Sequence, residues 1–347
     1  MPPEISKDVN SLILEGFQQE RFLSLKNKEY RRFVQKFLEM QLKEDVKKKD
    51  LTTSFLFSRI LPDKAASHAE AEIIAKQKGI LAGLEEFKFF CEMNQILVNA
   101  PFKDGDKIRQ GDKALSLSGA LETLLRTERV GLDLLGRMSG IATAANELVQ
   151  KVNKISKTKI AATRKTLWGN LDKKAVFLGG GLTHRLGLWQ AVLVKENHLT
   201  ALKSLGIKDP FSYIKDSLSS LKFHDLMKLI RGTSHQQRRF PSFFEIEVET
   251  IEQGVHVGEL LMGQKLDFSF ALLLDNFSSL NIRKIVKIFS KRSWDKKILL
   301  EASGGITPSN LMEYAETGVD LISMGFLTHS VKHFDFSQKI TAISRKF

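Results

Sequence analysis

The sequence predicts an α/β fold: a mixed α+β first part, then parallel βαβ units that favour an α/β barrel, with a doubly wound sheet as the alternative. Three observations carry this reading. From about residue 158 short apolar runs of β type recur, in KIAATRK, AVLVKENH, FFEIEVE, FALLLDN, ILLEASGG and VDLISMG. Between most of them lie stretches of helical period, such as SLNIRKIVKIFSKRSW and TPSNLMEYAET. Strands covered on both faces and alternating with helices are the pattern of a parallel sheet. Finally, each run ends in charged residues or in small ones, as strand ends gathered at the mouth of a barrel do.

The first part is read element by element. Val9, Leu12, Ile13, Leu14 and Phe17 recur at helical spacing, so residues 1–30 are expected to form one amphipathic helical extension. A second helix is expected over 31–43, with Phe33, Phe37, Leu38 and Leu42 on one face. DLTTSFLF and HAEAEIIAKQKGILAGLEEF suggest strands, with a helix following Gly83. DGDKIRQGDKALSLSG carries two Gly-Asp turn signals around a short run, which suits paired strands with tight turns. Residues 120–152 are helical in period. The expected domains are therefore 1–30, 31–152 and a catalytic segment over 153–347.

Composition limits the function classes. A hydrophobic fraction of 42% and a charged fraction of 27% are those of a globular protein with a sizeable core. Cys91 is the one cysteine, which excludes an internal disulfide and fits a reducing, cytoplasmic setting. MPPEISKDVNSLILEGF has early acidic residues and no long apolar run, so no secretory signal is expected. No apolar stretch approaches the roughly 20 residues of a membrane span. The net charge of +13 is spread along the chain, with only short clusters such as Lys47-Lys48-Lys49 and Arg238-Arg239. A solvated basic face is expected, with neither nucleic acid nor membrane as partner.

The strand tips carry the chemistry. Arg164, Lys165, Arg185 and Lys195 would repel one another unless an anion sits among them, which implies carboxylates or phosphates on the substrate. The bland alternative pairs each with a local carboxylate, Lys195 with Glu247 for instance. Ser303-Gly304-Gly305 and Ser323-Met324-Gly325 expose backbone N–H groups of the kind that hold a phosphate. LGGGLTHR, over 178–185, is a third glycine-rich stretch. Glu247 and Asp275 suit ribose hydroxyls, or Mg²⁺ gripping a pyrophosphate. His184, His198 and His329 lie near tips, and His184, beside Arg185, is the candidate among them. Zinc spacing, a Walker loop and a nucleophile elbow are absent.

At these residues the sequence resembles the quinolinate phosphoribosyltransferases, the carboxylating nicotinate-nucleotide pyrophosphorylases. The resemblance covers about residues 35–340, through EDVKKKDLTT, GILAGLEEF, DGDKIRQGD, TERVGLDLLGRMSGIAT, TRKT, KKAVFLGGGLTHRLGLWQAVLVKENHL, EIEVET, LLLDNF, EASGGI and GVDLISMGFLTHS. It implies an incomplete, TIM-like α/β barrel beside an N-terminal open-faced α/β sandwich. It also implies a homodimer with shared active sites, or a higher oligomer of such dimers. The reaction implied joins quinolinate to phosphoribosyl pyrophosphate, giving nicotinate mononucleotide, pyrophosphate and CO₂, with Mg²⁺. Arg129 then reaches quinolinate across the dimer. Thr163, Arg164, Lys165, His184, Arg185 and Lys195 line the site, and Glu247 and Asp275 flank ribose and metal. Ser303, Gly304, Gly305, Ser323 and Gly325 hold the 5′-phosphate. The resemblance gives catalysis to Arg129, Lys165, Lys195, Glu247 and Asp275.

Some positions depart from the family pattern. TRKTLWGN stands where TRKTTPGLR is usual, Glu196 replaces an aspartate and Asp133 an asparagine. EDVKKKD lacks a glycine, and residues 201–241, with the basic RGTSHQQRRF, form a longer stretch expected to be a surface helix pair or lid. The rival readings are a sister phosphoribosyltransferase acting on another pyridine or a molybdenum-related substrate, and a non-catalytic basic binding protein on this scaffold. The second would not retain Glu247 and Asp275, which repel a phosphate backbone.

Overall fold

The computed structural model describes residues 13, 16–57, 67–218, 243–262 and 269–345. Its strands, in chain order, are β1 (Ser67–Ala75), β2 (Gly79–Ile80), β3 (Leu97–Asn99), β4 (Lys107–Ile108), β5 (Lys113–Ala120), β6 (Lys159–Ala162), β7 (Val192–Val194), β8 (Phe243–Val248), β9 (Ser269–Asp275), β10 (Ile298–Ser303), β11 (Leu321–Met324) and β12 (Phe336–Arg345). The chain divides into two compact units, neither of them a single stretch: residues 1–19, 148–165 and 181–326, and residues 20–147, 166–180 and 327–347.

The unit that includes residues 20–147 holds a four-stranded sheet in the order β12-β1-β5-β3. Along β1 every second residue is buried, Ala69, Ala71, Ile73 and Ala75 on one face, as a half-covered antiparallel strand requires. β12 comes last in the chain yet pairs with β1. The 33-residue helix Leu121–Asn153 has the period that the sequence showed. Its Gly140 is required by close approach, since a Cβ there would stand 2.3 Å from the Lys332 carbonyl oxygen.

Four local expectations are corrected. The first 30 residues are not one helix: helical backbone at Phe17 gives way to a 3₁₀ turn at Glu20–Phe22, and residues 1–12 lie outside the described residues. A new helix, Lys28–Val46, starts where the Asn27 side chain accepts from the Glu29 and Tyr30 amides. It buries Tyr30, Val34 and Leu38, while Phe33 and Phe37 flank that stripe half-buried. DLTTSFLF is a helix, Leu51–Phe57, because the Asp50 carboxylate takes the Thr53 amide at 3.0 Å and nucleates a turn despite the β-type composition. The two short strands of DGDKIRQGDKALSLSG do not pair with each other: β4 pairs with β2, and β5 with β1 and β3.

The other unit holds β6 to β11, all parallel, in the order β6-β11-β10-β9-β8-β7. These are the six runs read from the sequence. Leu182 bridges to Ala161 on the far side of β6, so the two ends of the sheet are Leu182 and β7. The nine residues 183–191 join them, and Arg185 Nη1 donates to the Ala191 carbonyl across that gap at 3.1 Å. Ala161, Ala191, Phe243, Ala271, Leu299 and Leu321, one from each run, meet in a single buried cluster with Leu182, Ile13 and Phe17. Strands whose inward residues all converge must curl round a common axis, so the sheet is an incomplete barrel with its floor closed by Phe17. β7 is only half-buried, not covered on both faces, because it is short and has one neighbour. Of the expected insertion, Pro210–Leu218 is a helix that follows the helix Glu196–Ser204, and 219–241 lies outside the described residues.

Asp320 ties the strands together just before β11. Its carboxylate accepts from the Leu300 amide at 2.9 Å, and burial pushes it up to about 6. A carboxyl raised in the folded state stabilises fully below its unfolded value near 4, and that contribution is lost as pH rises through about 6. Asp320→Asn keeps an acceptor oxygen without the charge. The variant is expected to gain roughly 2–3 kcal/mol on wild type between about pH 4 and pH 7, which urea unfolding at a series of pH values measures.

Candidate active site at the ends of the parallel strands

Side chains on a strand alternate faces, so the cluster at the floor fixes which residues stand above it. Above Phe243 come Glu245 and then Glu247; above Leu299 come Glu301 and Ser303; above Leu321 come Ser323 and Gly325; above Ala271 come Leu273 and Asp275. The sequence-derived tips therefore form the uppermost layer on one rim. Thr163, Arg164 and Lys165 follow β6 directly, and Lys195 follows β7. One unit thus gathers every predicted site residue except Arg129, which belongs to the other.

Lys195 Nζ lies 3.1 Å from Glu247 Oε2, and Glu247 Oε1 accepts the Glu196 amide at 3.2 Å. The bland pairing foreseen for Lys195 is thus present, yet half of the lysine side chain stays exposed. Burial and the neighbouring Glu247 carboxylate push Asp275 above the usual carboxylate range. Arg185 is buried, and burial together with the nearby Arg164 cation pulls it below the usual guanidinium range. The strand ends therefore gather charge of both signs: cations that an anionic ligand could engage, beside a carboxylate pair that a metal ion could.

The glycine-rich tips differ in build. Gly304 and Gly305 have φ of 89° and 62°, and a Cβ on Gly304 would stand 2.3 Å from Asn276 Oδ1, so glycine is required there. The turn continues through residues 306–310, pinned by Asn310, before the short helix Leu311–Ala315. Any phosphate contact at this tip is thus made by turn amides. Gly325 leads directly into Phe326–His329.

Glu245 and Glu301 were missed in the sequence, although period two from Glu247 and Ser303 points to both. They are fully buried one layer below the rim, and with His184 they form the one group of three potential metal ligands among the described residues. His184 Nε2 is 3.3 Å from Glu301 Oε2 and 3.6 Å from Glu245 Oε2. Burial and the adjacent Glu301 hold Glu245 well above the usual range; His184 and the Ser323 hydroxyl overcome burial at Glu301 and hold it below. Ionisation is thus disfavoured at Glu245 and favoured at Glu301. His184 Nδ1 accepts the Arg185 amide at 2.7 Å, so the ring carries its proton on Nε2, facing the acids. A metal at Nε2 would displace that proton while Nδ1 remains an acceptor, so the group is read as a hydrogen-bonded one. His198 is also accounted for: its Nδ1 accepts the Lys195 amide at 2.9 Å.

Arg129 stands exposed on Leu121–Asn153, 3.3 Å from Asp133, the residue that departs from the family asparagine. Both line a cavity of about 310 Å³ with Phe37, Leu38, Glu44 and Trp168. In that unit the altered TLWGN turn is held by buried Asp172, which accepts the Leu167 and Trp168 amides at 2.8 and 3.0 Å and takes both arms of Arg137 at 2.7 Å.

The chain is similar to known proteins along most of its length. Residues 50–139 match the family described as quinolinate phosphoribosyl transferase, N-terminal domain, and 141–339 match its C-terminal domain. A probable nicotinate-nucleotide pyrophosphorylase [carboxylating] of Archaeoglobus fulgidus is 33% identical over 78% of this chain and 94% of its own. One of Bacillus subtilis is 34% identical over 89% and 93%. The crystal structure of NadC from Streptococcus pyogenes matches with a TM-score of 0.70 and 27% identity, over 90% of this chain and 97% of that one.

In the Lys195–Glu247 pair the lysine is half-exposed but Glu247 is buried, so removing the lysine leaves a buried carboxylate with the Glu196 amide. Lys195→Ala is expected to lower the free energy of urea unfolding by about 1–3 kcal/mol, and an unchanged value would mean that the pair does not hold Glu247 in place.

Proposed function

The chain belongs to the quinolinate phosphoribosyltransferase family, and on that premise we propose that the rim of its parallel strands is where quinolinate meets phosphoribosyl pyrophosphate. The enzyme is a pentosyltransferase of NAD biosynthesis, forming nicotinate mononucleotide, pyrophosphate and CO₂. The observation that carries the assignment to this rim is the convergence of the strand ends: Thr163, Arg164 and Lys165 after β6, Lys195 after β7 and 3.1 Å from Glu247, Asp275 at the end of β9, and the Gly304–Gly305 turn after β10.

Quinolinate has two carboxylates, which Arg164, Arg185 and Lys195 are placed to hold. The turns at Ser303–Gly305 and Ser323–Gly325 take the 5′-phosphate through backbone amides. As the bond from ribose C1 to pyrophosphate breaks, the electron pair leaves with pyrophosphate and positive charge grows on the sugar. Glu247 and Asp275 stabilise that charge, and Lys165 steadies the departing anion. The pyridine nitrogen then bonds to C1. The resulting pyridinium draws the electrons of the 2-carboxylate bond, CO₂ departs, and the pair left on C2 takes a proton. Neither bond change needs a general base, so the residues act by holding groups in line and by field.

Mg²⁺ fits this rim, because it prefers hard oxygens and would offset the burial and the Glu247 carboxylate that disfavour charge on Asp275. Both Glu247 oxygens already have partners and Asp275 has one oxygen on Asn276, so Asp275 is the better direct ligand and pyrophosphate supplies further oxygens. When bound, the ion neutralises charge on the leaving pyrophosphate. The functional unit is a homodimer in which Arg129 serves the site of the other copy; its exposure, with Asp133 as its close partner, leaves it ready for a second carboxylate. A cytoplasmic setting suits the lone, buried Cys91 thiol, which burial pushes up to about 12. Among the described residues no helix is long and apolar enough to cross a membrane.

The test is production of nicotinate mononucleotide from phosphoribosyl pyrophosphate and Mg²⁺ with quinolinate or nicotinate. Quinolinate is expected to serve and nicotinate not, with Arg129→Ala lowering kcat/KM by roughly 100-fold or more, as loss of a charge-assisted carboxylate contact does. After subunit exchange, Arg129→Ala mixed with Lys195→Ala should recover about one quarter of wild-type activity, since half the dimers are hybrids with one intact site each. No recovery would refute the shared site, and turnover of nicotinate would move the protein to a sister activity.

A further inference from the structure

His184 is held at φ 53°, a left-handed conformation that is costly for a residue with a Cβ unless its surroundings over-determine it. They do so on every side. Its amide donates to the Phe17 carbonyl at 2.9 Å, and its ring stands edge-on to Phe17 and Phe243, centroids 5.1 and 5.3 Å away. Nδ1 accepts the Arg185 amide, and Nε2 faces Glu301 and Glu245 at 3.3 and 3.6 Å. Both ring nitrogens are therefore engaged by the protein itself.

The consequence reaches Arg185 through the next peptide. None of the four Glu301 and Glu245 oxygens makes a well-aligned hydrogen bond among the described residues, and each acid sets one oxygen within 3.6 Å of the ring Nε2. The ring in turn fixes the Arg185 amide, and from there the guanidinium runs to its bond with the Ala191 carbonyl. A side chain this deep, facing the like charge of Arg164 and drawn by Glu245 and Glu301, takes its direction from the backbone that carries it and from its Ala191 bond.

We propose that Glu301, backed by Glu245, is a positioning residue that acts through His184 to aim Arg185 at a quinolinate carboxylate, and that His184 does not itself bind the substrate. The proposal rests on the reading that Arg185 meets quinolinate. It assigns a task to two buried acids that the reaction leaves without one, and changes the role expected of His184.

The experiment compares Glu301→Gln, His184→Asn and His184→Ala, with quinolinate and phosphoribosyl pyrophosphate varied separately. Asparagine tolerates the left-handed conformation and keeps an acceptor near the position of Nδ1. Glu301→Gln is expected to raise the KM for quinolinate about tenfold, on the scale of one charged hydrogen bond, with the KM for phosphoribosyl pyrophosphate, kcat and Tm little changed. His184→Asn should lie nearer to wild type than His184→Ala. If Glu301→Gln leaves the quinolinate KM intact while His184→Asn is as damaging as His184→Ala, His184 is a direct ligand and the proposal is overturned. Equal rises in both KM values with a lower Tm would overturn it too, as a merely structural effect. Should the wild type not turn over quinolinate at all, the functional reading fails instead. The Arg185 guanidinium in crystals of Glu301→Gln then decides the proposal: displaced supports it, unmoved overturns it.

Discussion

The stacking of Phe17 on Phe243, ring centroids 4.2 Å apart at the floor of the barrel, is the contact on which the depth of the site depends. Six strands can deliver their tips to one rim only if their inward residues meet at a common level below it. Phe243 and the small or branched residues around it supply that level, and Phe17 closes it from beneath. The Phe17 backbone is itself held, its carbonyl accepting from His184 N and Thr183 Oγ1. Because faces alternate along a strand, choosing the floor chooses everything above it: the acid layer of Glu245 and Glu301, then the rim of Glu247, Asp275, Ser303 and Lys195.

Charge is arranged by depth in the same way. At the rim Lys195 is half in water above the buried Glu247, so its ammonium can be reached by a substrate anion. One layer down nothing is hydrated, and isolated charge there is expensive. The buried acids meet that constraint by facing a ring N–H, with ionisation disfavoured at Glu245 and favoured at Glu301. The second unit solves a similar problem with fixed pairs: Arg137 on Asp172, and Lys174 on Glu86 at 2.6 Å with Tyr30 donating to the same acid at 2.9 Å. These pairs order the turn at Thr166–Gly169 and the helix after it, Asn170–Leu178.

What was legible followed from strong periodicity. Leu121–Asn153 and Ser279–Lys291 carry many apolar repeats, and β6 to β11 each end in a change from apolar to polar, so their type and direction could be read. Short elements were not legible where one side chain outweighs composition: Asp50 makes a helix of a β-type run, and Asn27 restarts a helix that the apolar spacing would carry through. Pairing was not legible either. β4 and β5 are neighbours in sequence with turn signals between them, yet each finds its ladder elsewhere, because partner choice depends on faces that fold together later.

The sequence by itself determined the family, the parallel α/β class and the residues at the strand tips, because alternation, strand length and motif spacing are local properties of a chain. Only the tertiary structure decided that the sheet curls into an incomplete barrel with β12 returning to β1, since closure depends on contacts between residues far apart. It alone showed that Glu245 and Glu301 converge on His184 from different strands, since residues far apart in the chain meet only once the sheet has curled.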